Sequence, residues 1–587
     1  MNLFRRISTP LAKRGSSHEI DPEDVFIDSQ NLSSLNLDQM EGQLEKPLGK
    51  HFFYIAAALS FVLVAGFSYR LFAMQVIRAD EYREKSDNNH LKKLPLFALR
   101  GTISDRNGTL LAWNSLYSTS LSSSSTSTIE KTQVDKEKVF DDVPRRVYTE
   151  TPGFSHILGY VSYPKRDQSG VFWQEEYLGK DGVEKQYQAQ LSGIKGERII
   201  EVTARNEIEA HNVVVYPSHG ENIVLTIDKD VQAKLYTEIE NLALKAGFIG
   251  GAGVIMDVRT GEVLALTSYP EYENNRMTNA TSKADIKIVA EDLQSNRKKF
   301  LNRAVSGLFT PGSTVKPFFA YAALKEEIIT PEQSIYSAGK LVIKNKYGGP
   351  DTVFKDWKAH GYVNMREAIA ASSDEYFYQI GGGYLTQKGL GIKRLGAYSD
   401  LFGFGSTTGI DLPGEGYGLV PSPEWKKKVF NEDWLLGNTY HSSIGQYGFQ
   451  LTPLELVRAV ASVANNGYLV TPHVLQRLQT SSTTLDLDLD KLKVIQEGMR
   501  LAVDGDIGTA KTLRIDGLAV AAKSGTAELG ISKQLVNSWI SGYFPYDAPK
   551  YAFVVIMEKA DRHNTFGAGL VMKELLTWMR DTTKYMK

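Results

Sequence analysis

FTPGSTVKPFFA, residues 309–320, sets a turn of Thr310, Pro311 and Gly312 against the start of an apolar run. Ser313 and Lys316 stand between the two. A serine hydroxyl is a poor nucleophile until something takes its proton, and a lysine that has lost its own proton can do so. At i and i+3 the two side chains share one helix face. The proline–glycine turn opens that helix, so free backbone N–H groups cluster around the serine oxygen, where they can also stabilise an oxyanion. A G-x-S-x-G elbow, which would supply histidine as the base, does not occur in the chain.

Serine-x-x-lysine alone is a weak signal. Two further stretches follow it in order: Ser372-Ser373-Asp374 within a predicted helical segment, and Lys523-Ser524-Gly525-Thr526 on a predicted strand. GAGVIMDVRTGEVLALTSYP, residues 251–270, reads as a β-hairpin turning at Arg259-Thr260-Gly261. Its glycines are not a phosphate loop, since no lysine follows and no helix starts there. A helical pattern runs from Phe318 to about Glu327 and again through MREAIAASSDEYFYQIGGGY, while LAVAAKSGTAEL and KYAFVVIME read as buried strands. This order implies an α+β domain with helices packed on an antiparallel sheet.

The chain has 587 residues, too many for one core, with 42% hydrophobic and 23% charged residues. A formal net charge of −1 gives no footprint for nucleic acid, and the absence of cysteine excludes disulfides, thiol nucleophiles and cysteine metal sites. FFYIAAALSFVLVAGFSY, residues 52–69, carries no charge, and LFAMQVI prolongs its apolar character past Arg70. About 20 such residues span a bilayer. The polar residues before it argue against a cleaved signal peptide. Flanking lysines and arginines do not favour an external C-terminal part, but long domains translocate largely regardless of charge. Residues 1–50 read as a flexible tail, 51–77 as the transmembrane helix with a juxtamembrane extension, and 78–225 as a β-rich pedestal. Residues 226–587 then form the catalytic domain. STSLSSSSTSTIEKTQ, residues 118–133, reads as a low-complexity loop.

S-x-x-K with S-D-N and K-T-G marks penicillin-binding proteins and class A β-lactamases. The three stretches, with RGTISDRNGTLLAWN (100–114), YLGKDGVEKQYQAQLSGIKG (177–196) and NSWISGYFP (537–545), resemble the class B penicillin-binding proteins from Leu71 to the C-terminus. Within them the chain looks most like the penicillin-binding protein 2 group of the cell-elongation machinery. The resemblance implies a D,D-transpeptidase that cross-links peptidoglycan stem peptides, is acylated by β-lactams, and needs no cofactor. Ser313 would attack the D-alanyl-D-alanine carbonyl. Lys316 would be the general base, its pKa lowered by burial and by Lys523. Ser372 would relay the proton to the departing D-alanine, and Asp374 would bond Lys316 or the substrate amide. Ser524, Gly525 and Thr526 would line the substrate strand, with Ser524 and Thr526 on its carboxylate and Lys523 as a fixed positive charge. The N–H groups of Ser313 and Thr526 would form the oxyanion hole, with substrate added along the edge of this strand.

It further implies a single-pass plasma-membrane protein, N-terminus cytoplasmic and catalytic domain outside. A SEDS-type glycosyltransferase and other elongation-complex membrane proteins would be its partners. Asp374 stands where asparagine is commoner. The serine-rich patch replaces a longer insertion, so the head of the pedestal is expected to be reduced. Asp356 and His360 in KDWKAHGY suggest a metal pair, but a structural zinc takes four ligands, and a surface loop is the reading preferred here. The alternatives are a division-type transpeptidase, a β-lactam sensor and an inactive scaffold. One span argues against the sensor, and intact Ser313, Lys316 and Lys523 argue against the scaffold.

Overall fold

Ala552, Val554 and Ile556 point into one apolar cluster, while Phe553, Val555 and Met557 point into another. That period of two belongs to a strand buried on both faces. It lies at the centre of the catalytic sheet in the computed structural model, which describes residues 50–115, 143–167, 172–202, 208–476, 478–530, 533–582 and 584–585. The expected tail and the serine-rich patch, and with it the reduced head, lie outside the described residues.

Two compact units meet in sequence after His90. The first unit holds helix α1, Lys50–Phe72, which continues as a π-helical turn over Ala73–Ile77, and helix α2, Ala79–His90. The Lys50–Ile77 segment is long and apolar enough to cross a membrane, and Phe53, Phe61 and Phe67 are exposed along it.

The second unit begins with β1, Leu91–Leu96, followed by β2 (Ile103–Ser104), β3 (Leu110–Ser115) and β4 (Arg145–Tyr148). Strands β5 (Gly196–Val202) and β6 (Ile208–Val215) join β1 in an antiparallel sheet of order β1-β5-β6. Strand β7, Ile223–Val224, lies parallel to β2 in a sheet of order β7-β2-β3-β4. The hairpin turn at Arg106-Asn107-Gly108 is closed by Asp105, whose Oδ1 accepts the N–H groups of Asn107 at 2.9 Å and Thr109 at 2.8 Å.

A buried ion triad locks this pedestal. Glu184 accepts from Arg100 Nε and from Arg146 Nε (2.7 Å), and Arg100 also reaches the Glu184 carbonyl at 2.7 Å. Burial alone would raise the Glu184 carboxyl, but Arg146 and Arg100 hold it below the usual range. Three buried charges are tolerated because each guanidinium finds a carboxylate oxygen.

Helix α3, Lys229–Ala246, is N-capped by Asp228, which accepts from the backbone of Asp230 and Val231. The same carboxylate accepts from Asn107, Lys584 and Tyr585, tying the pedestal turn and the C-terminal segment to one helix start. The predicted hairpin forms as β8, Gly250–Asp257, and β9, Val263–Tyr269. Helices α4 (Lys316–Lys325), α5 (Met365–Ala371), α6 (Asp374–Gly382), α7 (Pro453–Ala464) and α8 (Leu489–Asp504) follow. Strands β10 (Ala521–Leu529), β11 (Leu535–Phe544) and β12 (Tyr551–Asp561) and helix α9 (Gly569–Asp581) complete the unit.

The catalytic sheet is antiparallel with order β9-β8-β12-β11-β10, so β10 is an edge. Side chains of α3 and α9 fill the cluster on one face, and those of α4 and α7 the cluster on the other. This is the expected α+β architecture. The second cluster does not stop at the catalytic domain: it runs without a break into Ile103, Leu111, Tyr148, Phe154 and Ile157 of the pedestal.

Candidate active site

Ser313 lies not in an α-helix but in a 3-10 turn, Gly312–Val315, and α4 begins only at Lys316. The tighter turn closes with the Lys316 N–H donating to the Ser313 carbonyl, so the two residues stay one turn apart. Gly312 has φ +55, and a Cβ there would meet the Thr526 carbonyl oxygen at 2.9 Å. A Cβ on Gly525 would meet Thr314 at 2.7 Å. Two glycines thus let the nucleophile turn touch the edge strand, which brings Ser313 beside Thr526. Trp539 Nε1 donates to the Thr310 carbonyl at 2.9 Å and holds the turn from below.

The predicted helix through Ser372 is broken at that residue. Ser372 takes left-handed φ 56, ψ 38 as the C-cap of α5, and Ser373 caps α6. The break lifts Ser372 Oγ out of the helix surface toward two buried lysines. Lys523 Nζ lies 2.8 Å from Ser372 Oγ, and Lys316 Nζ lies 3.4 Å from it. Lys316 Nζ also donates to Asp374 Oδ1 at 2.6 Å and to the Ser372 carbonyl at 2.8 Å. Burial raises the Asp374 carboxyl, opposed by the neighbouring Lys316.

Burial, reinforced by the neighbouring Lys316, pushes the Lys523 pKa well below the usual lysine range. A lysine so poised can exchange a proton with the hydroxyl it touches. Ser524 Oγ donates to Thr509 Oγ1 at 2.8 Å, and the Thr526 side chain is exposed on the free side of β10.

Asp356 and His360 are not on an open surface as expected, for their side chains are 0% and 2% exposed. Asp356 Oδ2 accepts from Ser373 Oγ and the Glu375 N–H, both at 2.9 Å, behind the Ser372 turn. Burial opposes its ionisation, but the His360 and Glu375 contacts and the Lys316 charge bring its pKa down to about 2. Among the described residues no group of three His, Asp or Glu side chains is placed to share an ion. Thr509 and this supporting role of Asp356 escaped the sequence reading. Thr509 sits in a turn-like GDIGTA stretch with no motif, and Asp356 reads from the sequence as a surface-loop residue or half of a metal pair.

The family model described as penicillin binding protein transpeptidase domain matches residues 251–577, and that of the penicillin-binding protein dimerisation domain matches residues 116–225. Peptidoglycan D,D-transpeptidase MrdA of Acinetobacter baumannii is 30% identical over 92% of this chain and 88% of its own. The penicillin-binding protein PBP2 of Helicobacter pylori, solved in complex with MreC, superposes with a TM-score of 0.67 at 28% identity, covering 84% of this chain and 99% of that one. A chain from a peptidoglycan synthase complex, solved for its coordination of polymerization and crosslinking, gives 0.67 at 26% identity, over 92% and 98%. The chain belongs to the penicillin-binding transpeptidase family, as an elongation-type peptidoglycan D,D-transpeptidase and penicillin target.

Proposed function

We propose that Ser313 carries the acyl group and that Lys316, Ser372 and Lys523 move the protons. The observation that carries this reading is the convergence of two buried lysines on one hydroxyl, Ser372 Oγ, beside the nucleophile turn. Ser313 Oγ attacks the carbonyl of the penultimate D-alanine, and its proton passes to the Lys316 amine. The oxyanion is held by the N–H groups of Ser313 and Thr526. As the C–N bond breaks, Ser372 gives a proton to the leaving amine and is reprotonated through the lysines. An acceptor-strand amine then attacks the ester, returns its proton to the network and frees Ser313. Asp374 keeps Lys316 aimed at this exchange, and Ser524 and Thr526 hold the terminal carboxylate beside Gly525. Substrate lies along the open edge of β10.

Residues 1–50, 51–77, 78–225 and 226–587 serve as cytoplasmic tail, membrane helix, pedestal and external catalytic domain. The substrate lies outside the plasma membrane, which supports this orientation. Relatives solved with MreC and within a peptidoglycan synthase complex support membrane partners of the elongation machinery, including a SEDS-type polymerase that supplies the glycan strands. The test is covalent labelling of the full chain by a fluorescent penicillin. Ser313→Ala and Lys316→Arg should each abolish it, the second because arginine stays protonated. Labelling at the parent rate in either variant removes that residue from its role.

A further inference from the structure

Thr509 bonds directly to one of the three catalytic stretches, at Ser524, and to Ala370, two residues ahead of another. It stands in the loop after α8, where Gly508 N–H donates to the Gly505 carbonyl at 3.0 Å and Ala510 N–H to the Ala502 carbonyl at 2.9 Å. A Cβ on Gly508 would meet the Ala502 oxygen at 2.2 Å, so this loop is packed down on the helix it leaves. Toward α5, both the backbone N–H and the hydroxyl of Thr509 donate to the Ala370 carbonyl, at 3.1 and 3.2 Å. Ala370 lies just ahead of Ser372. Toward β10, Thr509 Oγ1 accepts the Ser524 hydroxyl at 2.8 Å.

A threonine hydroxyl has one proton and two acceptor lone pairs. Here the proton goes to Ala370 and one lone pair takes Ser524, so the direction of every hydrogen in the chain is set. Ser524 is thereby held in one rotamer with its proton on a neighbour that can release it. When a carboxylate claims that proton, Thr509 loses only a donor to a lone pair, and its own proton stays on Ala370. No buried donor is stranded by the exchange, which keeps its cost low.

We propose that Thr509 is a positioning residue for the terminal carboxylate of the substrate, acting through Ser524 and holding it in register with the Ser372 turn. The proposal rests on the acyl-transfer reading of this cleft. Thr509→Val preserves shape and leaves the Ala370 carbonyl its backbone N–H partner, so the fold should survive. Thr509→Ala carries the same test should valine disturb packing.

The experiment measures acylation of the detergent-solubilised full chain by benzylpenicillin and by its methyl ester, which lacks the carboxylate charge. In Thr509→Val the second-order constant for the acid should fall about tenfold, chiefly in the non-covalent step, while that for the ester stays within about twofold. Thr509→Ser should restore most of the loss, and Thr509→Val added to Ser524→Ala should cost nothing more, since the effect runs through Ser524. Equal losses for acid and ester, no loss for the acid, additivity with Ser524→Ala, or failure of the serine to rescue would each overturn the proposal. A parent chain that benzylpenicillin does not acylate at all overturns the acyl-transfer reading itself.

Discussion

Lys523 Nζ and Ser372 Oγ meet at 2.8 Å across 151 positions of sequence, joining the edge strand to a helix break. Asp374 counters the downward push on this lysine from burial and Lys316. Replacing it with asparagine keeps a hydrogen-bond acceptor near Lys316 but removes the charge. The Lys523 pKa should fall further, so the acid limb of the acylation rate should move to lower pH while acylation persists. The cluster titrates as a unit, and the limb reports an apparent value for the group of three. Rates of benzylpenicillin acylation between pH 5 and 9, compared with the parent, check this; an unmoved limb would sink it.

Glu184→Gln strips the pedestal triad of its only carboxylate and leaves Arg100 and Arg146 facing each other in the dry interior. Uncompensated buried charge of this kind costs on the order of 3–5 kcal/mol. The midpoint of urea unfolding should drop accordingly, and molecules still folded should label normally, because no member of the triad lies in the cleft. A midpoint unchanged from the parent would mean that the triad contributes nothing.

His156 donates from Nε2 to the Lys299 carbonyl at 2.9 Å, while its Nδ1 is buried without a partner. Burial holds its pKa down at about 4. The unfolded chain takes up this proton from about 6.5 downward, whereas the folded chain resists until about 4. The contribution to stability is therefore complete above the higher value and is lost as pH falls toward the lower, on the order of 3 kcal/mol in all. His156→Gln keeps the donor and cannot titrate, so its melting temperature should fall less than the parent's between pH 7 and 4.5. Parallel curves would show that another group governs this window.

Ala57, Ala58 and Ala65 on α1 are small residues of the kind that let membrane helices approach closely. Changing all three to leucine should weaken co-purification with the proposed polymerase and leave penicillin labelling intact. Survival of the complex, even when an unrelated span replaces α1, would make the helix an anchor only.

The catalytic serine, its lysine and the edge strand were legible because each sits in a short local pattern: Ser313 with Lys316, and the apolar run leading into Lys523. What stayed hidden depends on contacts between distant segments. Ser372 adopts a left-handed conformation with no glycine or asparagine to announce it, so the stretch read as continuous helix. The low proton affinity of Lys523 comes from a dry environment that composition does not display. Asp356 looked like a loop residue because its burial is supplied by Ser337, Ser373 and Glu375 from other parts of the chain. Thr509 matters only through a hydroxyl fifteen positions away, at a spacing that belongs to no regular element.

The apolar cluster that joins Tyr148 and Phe154 of the pedestal to Val254 and Phe318 of the catalytic half has a bearing on ancestry. Residues on the two sides of such a seam are shaped against one another, and each mismatched methylene leaves a void or an overlap costing about 1 kcal/mol or more. Recombination that joined the pedestal of one lineage to the catalytic half of another would start life with that debt spread along the whole seam. A packed seam of this kind favours inheritance of the two halves together, and viable crossovers should fall in the exposed loops within either half rather than at the boundary near residue 225.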